Sequence, residues 1–383
     1  MTLLERSTGV RTGWTIAELG GAAGVPAEQW DGLARRGFHR HAWFVAAESC
    51  GLAPRHVGVQ RNGVLAAIFP AYLEWASLHG DLHRRWLGPL HRLAWLAGAR
   101  LRPTLAVGAP FATASDPLGE VESLPDDVLA GVLDRLEAIA RAEGTRAVVW
   151  PFLADPTGQL AAAARRAGYV EAFAGSTARL PLAWRGFDGY VAARSRSVRR
   201  TVRREREAFA AAGLRLEAAP DWRHAAAAGE SLYRAEARAR DGREPLLPRG
   251  FLERLAAAPA PGIWAQLTWR DGELAGFSVN LEAAGVVDGT LAGFAAGPAT
   301  EAAWLNDLVH APIALGCAAG CARLELGPTA LRAKLLRGAT LVPRVTLARG
   351  TTRRTRALLT ILAPVVDRRL RRKERRRVPG ADR

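Results

Sequence analysis

Three groups of side chains in this 383-residue chain are of types that do chemistry. The first is Lys334. Only two lysines, Lys334 and Lys373, stand against 51 arginines. Such a ratio records GC-rich coding, so a lysine kept against that bias is informative. Lys334 lies in a short helical segment after Gly327-Pro328-Thr329, whose N-terminus can bind an anion. Its ammonium would hold a phosphate or carboxylate as a point charge; the bland alternative is a solvated or salt-bridged lysine. The second group is the run Arg194, Arg196, Arg199, Arg200, Arg203, Arg204 and Arg206, opposed only by Glu205. This is either a phosphate-facing stripe or a solvated helix face. The third group is Cys317 and Cys321, four residues apart, with His310 about two turns earlier. A metal site needs about four such ligands, and no fourth is in view, so these read as core residues and no metal is expected. His39/His41 and His79/His83/His91 also lack carboxylate or thiolate partners at a telling spacing. Three cysteines fit a reducing compartment rather than a disulfide scaffold.

The formal net charge is +16. Residues 353–383 carry +9 of it and residues 194–206 carry +6, which leaves a near-neutral body. A uniformly basic nucleic-acid binder is thereby excluded. Between the basic flanks of 353–383 lies ALLTILAPVV (357–366). Ten residues cannot span a bilayer but could lie on one, and Pro364 is expected to interrupt any helix there. An anionic membrane surface, a nucleic acid and a partner protein all suit such a tail. With no apolar run of ~18 residues and no signal-peptide core, a soluble cytoplasmic protein is expected, peripheral at most to the inner membrane face.

The elements that must position these residues follow from periodicity. Hydrophobic residues make up 49% and charged residues 23%, the proportions of a globular core. Strands are expected over 14–18, 105–107, 147–152, 169–173 and 176–182, and helices over 26–36, 41–49, 126–143 and 159–167. A hairpin is expected at 55–60 and 64–72 about Asn62-Gly63. Segment 73–104 is irregular and reads as an insertion or lid. A second series opens with a long helix from an Asp188 cap to Ala212, then a strand over 214–218 and helices over 222–239 and 248–257. A hairpin at 263–269 and 274–281 about Asp271-Gly272 follows, then a strand over 286–294, a helix over 302–319, a strand over 323–326, a helix over 329–337 and a strand over 343–348. The two halves repeat one order with their hairpin turns about 200 residues apart, a duplicated α/β pattern.

That order resembles the GNAT acyltransferase fold in tandem, as in the FemAB-like and CelD-like transferases. PRHVGVQRNGVLAAIFPAYL is similar to the family's first hairpin. FDGYVAARSRSVRRTVRREREAFAAAGLRLE resembles the helix opening its second half, and WRDGELAGFSVNL its second hairpin. LELGPTALRAKLLRGA resembles its lysine-bearing strand–helix segment. Two departures stand out. Ala295-Ala296-Gly297-Pro298 replaces the Q/R-x-x-G-x-G/A pyrophosphate loop, and no tyrosine follows Tyr233 to serve as general acid.

The resemblance implies an α/β (α+β) protein of two GNAT-like domains, 12–185 and 186–350, each a mixed twisted sheet flanked by helices. An N-terminal segment 1–11 and a basic tail 351–383 flank them. It implies an active site in the second half, where a splayed strand offers backbone N–H groups and places Leu291, Gly293 and Phe294 near the acyl donor. Acid or base candidates at the strand ends are Glu325, Asp307 and Asp288. Lys334, Asn306, Arg196, Arg199 and Arg203 are the candidate substrate-binding residues. The implied activity is transfer of an acyl group, with acyl-CoA as co-substrate, to an amine of a small molecule or cell-envelope precursor. An aminoacyl-tRNA donor is the alternative, with tRNA as partner. A non-catalytic adaptor at membrane or RNA is the third reading. Oligomeric state is not legible.

Overall fold

The computed structural model describes residues 13–74, 101–242, 245, 247–258, 260–297 and 299–378. Most of the expected lid, with His79, His83 and His91, lies outside the described residues, as does segment 1–11.

The described strands are, in chain order, β1 (Trp14–Leu19), β2 (His56–Arg61), β3 (Val64–Phe69), β4 (Ala71–Glu74), β5 (Thr104–Val107), β6 (Leu118–Gly119), β7 (Ala147–Leu153), β8 (Val170–Pro181), β9 (Arg215–Ala219), β10 (Ile263–Arg270), β11 (Glu273–Ala283), β12 (Val286–Phe294), β13 (Arg323–Glu325) and β14 (Thr340–Gly350). They form a mixed α/β architecture in two compact units, which interleave along the chain. One comprises residues 1–34, 47–176 and 343–383, the other residues 35–46 and 177–342.

In the first unit β1-β2-β3-β6 form an antiparallel sheet. The Asn62-Gly63 turn has φ +51° and +79°, the left-handed pair that a tight hairpin demands. Strands β4, β5, β7 and β14 form a second, mixed run, with β5 and β7 parallel. The helix Asp126–Ala142 buries Val128, Leu129, Val132, Leu133, Leu136 and Ile139, the stripe its 3.6-residue period predicts. These pack with Val57, Val59, Phe69, Leu105, Val148 and Trp150 in one apolar core. Each such side chain contributes on the order of 1.5–3 kcal/mol on burial.

Segment 353–377 departs from expectation. It is one 25-residue helix, Arg353–Arg377, running through Pro364. A capping box of Thr352 and Thr355 starts it, and Leu359, Ala363 and Val366 are buried against Leu101, Ala147, Val149, Ala172 and Ala348 of the first unit. Pro364 is exposed, so the carbonyl its ring leaves unbonded faces solvent, and inner-face burial offsets a proline cost of about 3 kcal/mol.

In the second unit the strand order is β8-β13-β12-β11-β10-β9, antiparallel except for β12 with β13. The two strands expected over 169–182 are one, β8. The single helix expected from Asp188 is two, Gly186–Ala192 and Arg196–Ala211, and the second is capped by the Ser195 hydroxyl, which accepts from Val198 N at 3.4 Å. Asp188 sits inside the first turn instead of capping it. The helix expected over 302–319 passes from Thr300–Leu305 through a π turn, Asn306–His310, into Ala311–Ala318. Pro312, which cannot donate into the ladder, follows that widened turn.

Residues 35–46 belong to this unit for a local reason. Gly37 lies so close to Leu281 of β11 that a Cβ would collide with its backbone. Arg40 Nε donates to the Glu282 carbonyl at 2.7 Å, and Trp43 meets Phe251 edge-on at 4.9 Å.

Candidate active site

The pairing of β12 sets the geometry. Val286, Val287 and Asp288 pair with Arg323, Leu324 and Glu325 of β13, and there β13 ends. β12 runs on to Phe294, so beyond Asp288 it has no strand partner on that side among the described residues. Toward β11, Ser278 pairs with Ala292 but Asn280 pairs with Gly289, so β12 carries one extra residue at Thr290-Leu291. Such a bulge takes backbone groups out of the ladder. Gly289, Thr290, Leu291 and Ala292 are half-exposed, whereas Gly293 and Phe294 are buried. Gly293 lies against the backbone of Leu232 and Tyr233, where any Cβ would collide. Phe294 packs with Leu214 and Ala303. Of the three donor-side candidates, Leu291 alone is at the open stretch; the side chain of Phe294 is core.

Lys334 stands beside the point where the two strands part. It is 2% exposed, and its Nζ donates to the carbonyl of Leu326, the residue after β13. Burial lowers its pKa to about 8.

The three candidate acids are in different states. Asp288 is buried in an ion pair with Arg36 and accepts from Gly37 N at 2.8 Å, so it anchors segment 35–46 on β12. Glu325 is buried and accepts from Arg179 Nε at 2.6 Å. Asp307 is fully buried beside the Thr268 hydroxyl. Burial holds its carboxyl well above the usual carboxylate range, with the Thr268 hydroxyl pulling the other way. It faces the Thr268–Gly276 pair of β10 and β11, since a Cβ on Gly276 would lie 3.5 Å from Asp307 Oδ2.

Asp307 heads a buried polar row that the sequence reading missed. Gln266, Thr268, Ser278 and Asn280 share one face of β10–β11, and all are wholly buried. Ser278 Oγ donates to Gln266 Oε1 at 3.2 Å. Gln266 Nε2 and Asn280 Oδ1 have no hydrogen-bond partner among the described residues. Unpartnered buried groups at this density call for an explanation, and a polar ligand is one.

Behind Asp307 lies a second network. Asn306 Oδ1 faces His310 Nδ1 at 3.4 Å, His310 Nε2 lies 3.0 Å from Glu205 Oε2, and Glu205 also pairs with Arg337. Asn306 is therefore a support for His310. His310 turns to Asn306 and Glu205, and the thiols of Cys317 and Cys321 are both raised by burial. Arg196, Arg199 and Arg203 are exposed, and Arg199 Nη1 donates to the Arg194 carbonyl at 2.7 Å. Val202 is the one side chain of that helix that is buried, so the stripe lines the outside of the unit.

Solved structures share this fold. The C-terminal domain (DUF2156) of a protein assigned as a lysylphosphatidylglycerol synthetase from Agrobacterium fabrum matches with a TM-score of 0.56 at 15% identity, over 89% of this chain and 96% of that one. FemX matches with a TM-score of 0.56 at 11% identity, over 85% and 94%. A tandem GNAT protein from the clavulanic acid biosynthesis pathway matches at 0.49 and 13% identity, over 88% and 99%. No curated protein matches the chain in sequence. The first two of these matches show a shared fold. The chain itself belongs to the FemAB-like family, described as peptidoglycan biosynthesis/recognition, which matches residues 21–352.

Proposed function

We propose that this protein transfers an acyl group from an activated thioester, acyl-CoA in the first instance, to an amine of a cell-envelope precursor. The observation that carries the reading is the open, bulged stretch of β12 beside buried Lys334. In the step itself the amine nitrogen attacks the acyl carbonyl. The C–N bond forms, the C–S bond breaks, and the proton leaving nitrogen ends on the departing thiolate. Backbone N–H groups freed at Thr290-Leu291 would stabilise the developing oxyanion. Lys334 in its cationic form would hold a carboxylate or phosphate of the substrate. Asp307, whose carboxyl burial shifts toward its protonated form, would serve as a hydrogen-bond donor to the substrate.

An aminoacyl-tRNA donor is the second reading. The exposed arginines of the Arg196–Ala211 helix favour it. Incubation of the protein with an acyl-CoA panel, with charged tRNA and with amine-bearing envelope precursors separates the two. Transfer from a thioester supports the first, and transfer from tRNA alone replaces it with the second. Transfer from neither donor overturns both and leaves a binding role.

A further inference from the structure

The Arg353–Arg377 helix has two faces, and among the described residues only one is packed against the rest of the fold. Its inner face holds Leu359, Ala363 and Val366. Both of its acids also turn inward. Asp367 accepts from Phe173 N at 2.9 Å, and Glu374 accepts from Ser176 N at 2.8 Å and from Ser176 Oγ at 2.6 Å. The outer face is what remains. There Arg354, Ile361, Val365, Arg368, Arg372 and Arg376 recur at three-, four- and seven-residue intervals, which puts them on one line along the helix. Ile361 is 68% exposed and Val365 61%. The four arginines of that line form no ion pair with an acid among the described residues. A groove of about 730 Å³ runs beside them, where Arg368, Arg371, Arg372 and Arg375 outnumber the acids Asp367 and Glu171.

From this segregation we infer that the outer face of the helix is a docking surface for an anionic lipid membrane. Two exposed aliphatic side chains one turn apart insert among acyl chains, while the flanking guanidiniums pair with lipid phosphates. The helix lies flat, since no described helix is long and apolar enough to cross a membrane. A nucleic acid fits the line less well. Strand binding uses aromatic platforms, and the helix contains no aromatic residue, while Ile361 and Val365 would stay bare against a sugar-phosphate backbone.

The test is co-sedimentation of the full chain with vesicles of phosphatidylcholine alone and of phosphatidylcholine mixed with phosphatidylglycerol, whose anionic headgroups supply the negative surface potential. Binding is expected only to the anionic vesicles, and weaker at high salt. The double variant Ile361→Asp/Val365→Asp should lower partitioning about tenfold or more, and Arg368→Glu/Arg372→Glu should do likewise. Ile361→Ser/Val365→Ser, with unchanged circular dichroism and melting, keeps the result free of folding effects. Equal binding by either apolar-face variant overturns the inference, as does equal binding to both vesicle types. Retention of RNA with no retention of vesicles also overturns it and reassigns the face to an anionic polymer.

Discussion

Two hairpins of this molecule share a turn and differ in what they bury. β2–β3 turns at Asn62-Gly63 and β10–β11 at Asp271-Gly272, with φ +51° and +79° in the first and +52° and +83° in the second. The first directs Val57, Val59, Ala67 and Phe69 into an apolar core. On one face the second carries Gln266, Thr268, Ser278 and Asn280, equally buried, under Asp307. Its other face, with Leu267, Phe277, Val279 and Leu281, already supplies the apolar packing. Buried polar groups without full hydrogen bonding oppose folding, and that sets this row apart from the apolar face beside it.

The contrast can be broken in order of size. Phe69→Ala should cost about 3–5 kcal/mol in urea unfolding, with turnover per folded molecule unchanged. A turnover loss beyond the unfolded fraction would make the first hairpin part of the site. Lys334→Met comes next. Its amine titrates near pH 8 when folded and near 10.5 when free, so between those values the unfolded chain binds more protons and wild-type stability rises with pH. Relative to the Met variant that rise should total about 3 kcal/mol, and turnover by the variant should fall about 100-fold if it holds the substrate anion. A flat difference curve would place the amine in solvent, and full turnover would remove Lys334 from the site. Gln266→Leu with Ser278→Ala and Asn280→Leu should leave stability within about 1 kcal/mol of wild type, or raise it, because the unpartnered polar groups and the hydroxyl they bond are removed together. Activity should nevertheless fall; unchanged activity would reduce the row to packing.

Asp307→Asn comes last, and it is read as a change with pH rather than at one pH. A raised folded pKa contributes stability below the unfolded value that disappears as pH rises through the folded one. The wild type should therefore gain melting temperature over the variant on acidification. The opposite sign would mean an ionised, paired carboxylate.

Much of the scaffold was legible in the residues. The Asp126–Ala142 stripe, the two left-handed turns and the strand over 286–294 were all readable from periodicity and turn chemistry. The site was legible in part. The alternation in WAQLTWR and FSVNL marked one polar strand face, and a polar face reads as solvent-exposed. What hides it is the Thr300–His310 segment above it, a tertiary fact that no local period carries. The pairing of Asp288 with Arg36, 252 residues away, was equally invisible. In the last helix, composition suggested a basic tail and Pro364 a break. The sorting of its acids inward and its arginines outward depends on which neighbours it meets.

The interleaving of the units bears on how the protein is made. β7 pairs with β14 through Ala147 and Gly350, and the helix that covers Val149 follows later still. On the ribosome the whole of residues 177–342 emerges before the first unit can close. The part synthesised first thus finishes folding last, with an open strand edge and bare apolar faces in the interval, the state in which chains aggregate or engage chaperones. Chains stalled after the second unit would hold a completed sheet there and an unfinished one upstream.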